Sequence, residues 1–100
     1  MEIAELITLG RLSKQVRYGN VTIHLTTPSS DDVEKAKDNI DLVSLFITKI
    51  NDKTFDTKEE KEGLKSTLKS MQSAVVGNVV QKCTDLLKEQ ESLIEEMSKK

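Results

Sequence analysis

Few side chains in this sequence could do chemistry. His24 is the only histidine and Cys83 the only cysteine. His24 has no cysteine or carboxylate at metal-ligand spacing, and its alternation with Thr22 and Thr26 turns it to water from a strand. Cys83 falls on the inner stripe of a helix, where a thiol is either a small buried hydrophobe or a reactive group. The stripe favours the first. Asp31, Asp32, Asp38 and Asp41 gather around one helix. Two of them could share acid–base work or hold a cation. Without a histidine or a glycine-rich loop, a solvated helix face accounts for them better. The sequence contains no GxGxxG, phosphate loop, nucleophile elbow or CxxC. No cofactor and no metal is therefore expected, and the chain is not expected to be an enzyme.

Around these residues the strongest local signal is a β-hairpin over 12–26. Val16 and Tyr18, then Val21, Ile23 and Leu25, alternate with polar residues, which sets one face of each strand on a core. Gly19-Asn20 supplies a two-residue turn, because both residues accept the backbone angles of a tight hairpin. That loop length puts Tyr18 opposite Val21 and Val16 opposite Ile23, so the five apolar side chains share one face. Ahead of it, residues 2–9 read as a short helix with Ile3, Leu6 and Ile7 on one side, ended by Gly10.

Thr27-Pro28-Ser29-Ser30-Asp31-Asp32 is a dense helix-start signal, with a proline tolerated in the first turn and hydroxyls and carboxylates to cap free N–H groups. The helix is expected over 29–50, its stripe through Val33, Ala36, Ile40, Val43, Ile47 and Ile50 covering the hairpin. Phe55 anchors the polar connection that follows. Thr57 with Glu60 forms a capping box and opens a helix over 57–76, with Leu64, Leu68, Met71 and Val75 inward. Gly77-Asn78 leaves two readings. One unbroken helix from Thr57 to Ser98 would run about 60 Å at ~1.5 Å per residue, which suits an oligomeric bundle. A break at Gly77-Asn78 suits a compact domain and is the expectation here, with the last helix over 79–98. The predicted fold class is α+β, mainly helical: one domain, residues 1–100, with an N-terminal β-hairpin packed against two or three α-helices.

Composition narrows the function. Of 100 residues, 32% are charged and only 3% aromatic, so the core is thin and self-association or partner binding is expected to supplement it. A net charge of −2 offers no basic footprint for nucleic acid. Neither a basic leader nor an apolar run of membrane-spanning length occurs, and a lone cysteine argues against a disulfide scaffold, so a cytoplasmic protein without membrane contact is expected. The last forty residues carry two apolar rows. Val79, Cys83 and Leu86 form one. The other, Val76, Val80, Leu87 and Ile94, is the candidate partner-binding surface, either a groove for an apolar segment or part of the core.

The order of these parts resembles the tail assembly chaperones of long-tailed bacteriophages. The likeness rests on Leu9-Gly10-Arg11-Leu12-Ser13-Lys14, the Val-x-Tyr-Gly-Asn-Val hairpin, and Leu25-Thr26-Thr27-Pro28-Ser29-Ser30-Asp31 leading into a helix. It extends to Ala74-Val75-Val76, Val79-Val80 and Leu86-Leu87-Lys88-Glu89-Gln90-Glu91, although the family tends to place an aromatic where this chain has Cys83. The resemblance implies a chaperone, in the bacterial host cytoplasm, that binds the apolar helical tape measure protein and keeps it soluble before tail tube polymerisation. The tail tube protein and further copies of the chain are additional expected partners. Two alternatives are a small structural or baseplate-type protein that oligomerises through its C-terminal helices, and a small protein-binding regulator.

Overall fold

Strand alternation and one tight turn create the first half of a sheet. In the computed structural model, which describes Glu5 and residues 9–99, β1 (Ser13–Tyr18) and β2 (Val21–Thr26) pair antiparallel. Val16 lies opposite Ile23 and Tyr18 opposite Val21. Gly19 takes φ 62°, a conformation glycine adopts without steric cost. Val16, Ile23 and Leu25 are buried, Tyr18 is half-buried, and Val21, beside the turn, is exposed. The expected helix over 2–9 lies, apart from Glu5 and Leu9, outside the described residues.

The single helix expected over 29–50 is replaced by two helices and a strand. Helix α1 (Ser30–Lys35) starts at Ser29, whose hydroxyl accepts the Asp32 N–H, and ends at Ala36 in extended backbone. A second start follows at once. Asp38 accepts the Asp41 N–H at 2.9 Å, while the Asp41 carboxylate accepts the Lys37 N–H at 3.1 Å. Helix α2 (Asn39–Phe46) then passes without a loop into β3 (Ile47–Ile50). The physical reason is the second edge of β2. Ile47 pairs with Leu25 and Ile50 with Ile23, so the β-branched Ile-Thr-x-Ile run closes an edge that a helix would leave unpaired. Asn51, at φ 53°, turns the chain and donates its N–H to the Thr22 carbonyl, while its side-chain oxygen accepts the Thr22 N–H. The short β4 (Lys53–Thr54) completes an antiparallel sheet of order β1-β2-β3-β4.

Helix α3 (Lys58–Ser70) begins with the expected capping box of Thr57 and Glu60. The break does not fall at Gly77-Asn78. It falls at Met71-Gln72, both extended, and α4 (Ser73–Ser98) runs unbroken through Gly77. An interior glycine costs a helix only about 1 kcal/mol, and continuing through it keeps the half-buried Val75 and Val76 in line with the buried Val79, Cys83 and Leu86. Turning at Met71 also lets Leu64 and Leu68 reach the same core from a different direction. The molecule is thus α+β and mainly helical.

Helix α2 is the hub, touching α1, α3, α4, β2 and β3, while α4 lies across α2 and β1. Phe46 and Val43 from α2 meet Ile23 and Leu25 from the sheet, Leu64 and Leu68 from α3, and Val79, Cys83 and Leu86 from α4. Phe55 is buried as expected. At the α2–β3 junction, Lys61 on α3 donates from Nζ to the carbonyls of Ser44 at 2.8 Å and Ile47 at 2.6 Å. An ammonium thereby satisfies carbonyls that the helix end leaves free.

Candidate functional site

Helix α4 outruns the body it packs on. Its 26 residues span about 39 Å at ~1.5 Å per residue, and its apolar rows continue into the last turns, where Ile94 and Met97 are 39% and 43% exposed. Beside this half of α4 opens a cleft of about 730 Å3. Its apolar contributions come from Leu9 before the sheet, Pro28 and Val33 at α1, and Leu87 on α4, with Arg11 and Glu34 also lining it. Leu9 and Val33 are 43% and 39% exposed, so the cleft offers side chains that the fold itself has not fully covered.

Two of the cleft's polar groups, Thr27 and Gln90, are engaged inward. Thr27 is buried, and its hydroxyl oxygen accepts the Leu12 N–H at 3.1 Å and the Gln90 amide at 3.2 Å. The same Gln90 nitrogen donates to the Gly10 carbonyl at 3.0 Å. Gly10, at φ 81°, packs so closely on α4 that a Cβ there would stand 2.7 Å from Ile94 Cδ1. The Gln90 bridge and this close approach fix α4 against the start of the sheet, which sets the width of the cleft.

The four residues expected to bind a partner, Val76, Val80, Leu87 and Ile94, share one side of the unbroken α4 and are half-buried or exposed, but only Leu87 lines the cleft. Ile94 lies two turns further along α4, against Gly10. Val80 and Leu87 pack partly on the core, and Val76 is half-buried near the start of α4. Leu9 and Val33 were not among the expected site residues. Val33 was assigned to the covering stripe, and its exposure follows from α1 ending after one turn and a half, which the Asp38 cap signals in the sequence.

The chemistry-bearing residues are used elsewhere. Asp38 caps α2, Asp31 pairs with Lys35 at 3.0 Å, and Asp41 accepts the Lys37 N–H and an ion pair from Lys65 at 3.3 Å. The Lys37 N–H bond first, and Lys65 with it, hold the Asp41 carboxyl below its ordinary range. Glu60 is lowered in the same way by the Thr57 N–H. Cys83 is buried, and desolvation pushes its thiol up to about 12, which keeps it protonated and unreactive at neutral pH. His24 stands on the open sheet face between Gln15 and Lys49. Among the described residues no group of three or more histidine, cysteine or acidic side chains could hold a metal ion, and no helix is long and apolar enough to cross a membrane. Comparison with protein-family models, with curated proteins and with solved structures gives no match.

Proposed function

We propose that the protein is a tail assembly chaperone that holds an apolar helical segment of a tape measure protein in the cleft beside α4. The observation that carries the reading is the pairing of that cleft with the exposed apolar side chains Leu9 and Val33 and with the uncovered end of the α4 stripe. A helix docks through apolar residues spaced three and four apart, which suits a cleft lined by apolar side chains from several elements, Leu9, Pro28, Val33 and Leu87. Holding a client until tube subunits arrive requires many weak apolar contacts and a soluble outer face, without any catalytic group. Self-association through the exposed Ile94 and Met97, as in a small structural or baseplate-type protein, is the second reading.

Leu9→Glu combined with Val33→Glu tests it, since both side chains are already over a third exposed and charging them costs the isolated fold little. The variant is expected to keep its circular dichroism and melting temperature yet fail to keep a co-expressed tape measure segment soluble. A client that stays soluble with the folded variant refutes the cleft. Stable oligomers of the unaltered chain, dispersed by Ile94→Glu with no client effect, would favour the second reading.

A further inference from the structure

The sheet is charged on one sign only. None of the residues of β1, β2, β3 or β4 is a carboxylate, whereas Lys14, Arg17, Lys49 and Lys53 are cations. The chain as a whole is net −2, and no acidic residue occurs between Glu5 and Asp31 or between Asp41 and Asp52. All of its excess negative charge therefore lies off the sheet. Neither Lys14, Arg17 nor Lys49 forms an ion pair among the described residues.

Strand β1 is also an edge. The Thr27 N–H donates to the Leu12 carbonyl, so in an antiparallel ladder the bonds to β2 fall to Leu12, Lys14, Val16 and Tyr18. Ser13, Gln15 and Arg17 then aim their N–H and C=O groups away from the sheet. All three residues are exposed.

We propose that β1 receives an extended acidic segment of another protein as a fifth strand. Backbone pairing along Ser13, Gln15 and Arg17 would supply affinity, and the cations Lys14 and Arg17, one on each face of β1, would select carboxylates. A second copy is a poor occupant, because two β1 strands side by side would gather four cations, Lys14 and Arg17 of each copy, in one seam with no carboxylate among them. A nucleic acid fits less well than a peptide. Its backbone cannot match alternating donors and acceptors, and Tyr18, Phe46 and Phe55 lie on the core side or in the core, leaving no phenyl or phenol ring on the open face for base stacking. This surface shares no residue with the cleft beside α4, so the two proposals fail independently.

The test is titration of the whole chain with a short synthetic peptide alternating Glu and Val, followed by amide NMR. Saturable shifts centred on Ser13, Gln15 and Arg17 that weaken with added salt are expected. Gln15→Pro removes one outward N–H without touching the β2 ladder, and proline is tolerated on an edge. It should keep the fold and weaken the peptide at least about tenfold. If that variant loses its fold, Lys14→Glu with Arg17→Glu serves instead and should weaken binding by a similar factor. Binding indifferent to both variants overturns the proposal, as does no binding at millimolar peptide. Equal competition by a single-stranded oligonucleotide overturns it in favour of a general polyanion surface. A concentration-dependent dimer abolished by Gln15→Pro overturns it in favour of a second copy.

Discussion

Replacing Gly77 by alanine distinguishes an unbroken α4 from two helices joined at Gly77-Asn78 by the sign of a single number. Gly77 lies in the second turn of α4, exposed, without positive φ, and a Cβ built on it meets nothing within 4 Å. Alanine there gains helix propensity and restricts the unfolded chain without any clash, so Gly77→Ala should stabilise by about 0.8–1 kcal/mol. In a domain of this size that is a rise in melting temperature of roughly 4–8 °C. Were Gly77 the left-handed residue that ends one helix, the added Cβ would instead cost about 1–2 kcal/mol. The two outcomes lie on opposite sides of zero, some 2–3 kcal/mol apart. Urea unfolding followed by far-ultraviolet circular dichroism at constant m resolves that gap. Gly63→Ala on α3, equally free of neighbours, is the control and should add to it, since the sites are on different helices. A Gly77→Ala variant less stable than the parent would refute the continuous helix.

Three further outcomes follow from the same structure. Ile23→Asp buries a charge at a site only 3% exposed and should cost ~3 kcal/mol or more, whereas Thr22→Asp on the open face should cost about 1 or less; equal losses in urea would mean the strand faces are misassigned. Lys61→Met leaves the Ser44 and Ile47 carbonyls without their donor and should cost about 1–2 kcal/mol after allowance for the half-exposed ammonium, with faster amide exchange in β3. An unchanged exchange rate there would show that the ammonium does not secure the junction. Asp41 and Glu60 have folded pKa values below their ordinary 3.8 and 4.5. The unfolded chain therefore binds more protons between the two sets of values, and the stability these carboxylates contribute is complete above about pH 5 and is lost as pH falls through the folded values. NMR titration of the two carboxyls checks this, and midpoints at or above the ordinary values would contradict it.

How far the sequence reveals the fold varies by element. The hairpin was fully legible, because a two-residue turn fixes register and alternation fixes the faces. The capping box at Thr57 was equally legible, since both halves of it are local. Ile47–Ile50 was not. The apolar positions Val43, Phe46, Ile47 and Ile50 satisfy helical steps of three and four, while Ile47 and Ile50 also face one core from a bulged strand. Only the unpaired edge of β2, a distant partner, decides between them. The continuity of α4 through Gly77 has a similar origin: a weak local breaker is outweighed by packing on both sides of it, at Val75 and Val76 as well as Val79. At the candidate site, Leu87 was legible as apolar surface, but the cleft depends on Gly10 reaching Ile94 across the whole chain, which no local pattern encodes.

The loopless passage from α2 to β3 restricts how this protein can change length. Substitutions at Phe46 or Ile47 trade one side chain for another, but a one-residue insertion between them shifts β3 by a full register step. Ile47 would move to the outward place now held by Thr48, and Lys49 to the inward place of Ile50, since the bulged strand keeps its faces while the sequence slides by one. The Lys61 ammonium, anchored on α3, would meet carbonyls displaced by about 3.3 Å, the rise of one strand residue. Insertions and deletions are thus barred from residues 39–50 while the turns at Gly19-Asn20 and Asn51-Asp52 face solvent, so length variation among functional variants should collect at those turns and avoid the junction.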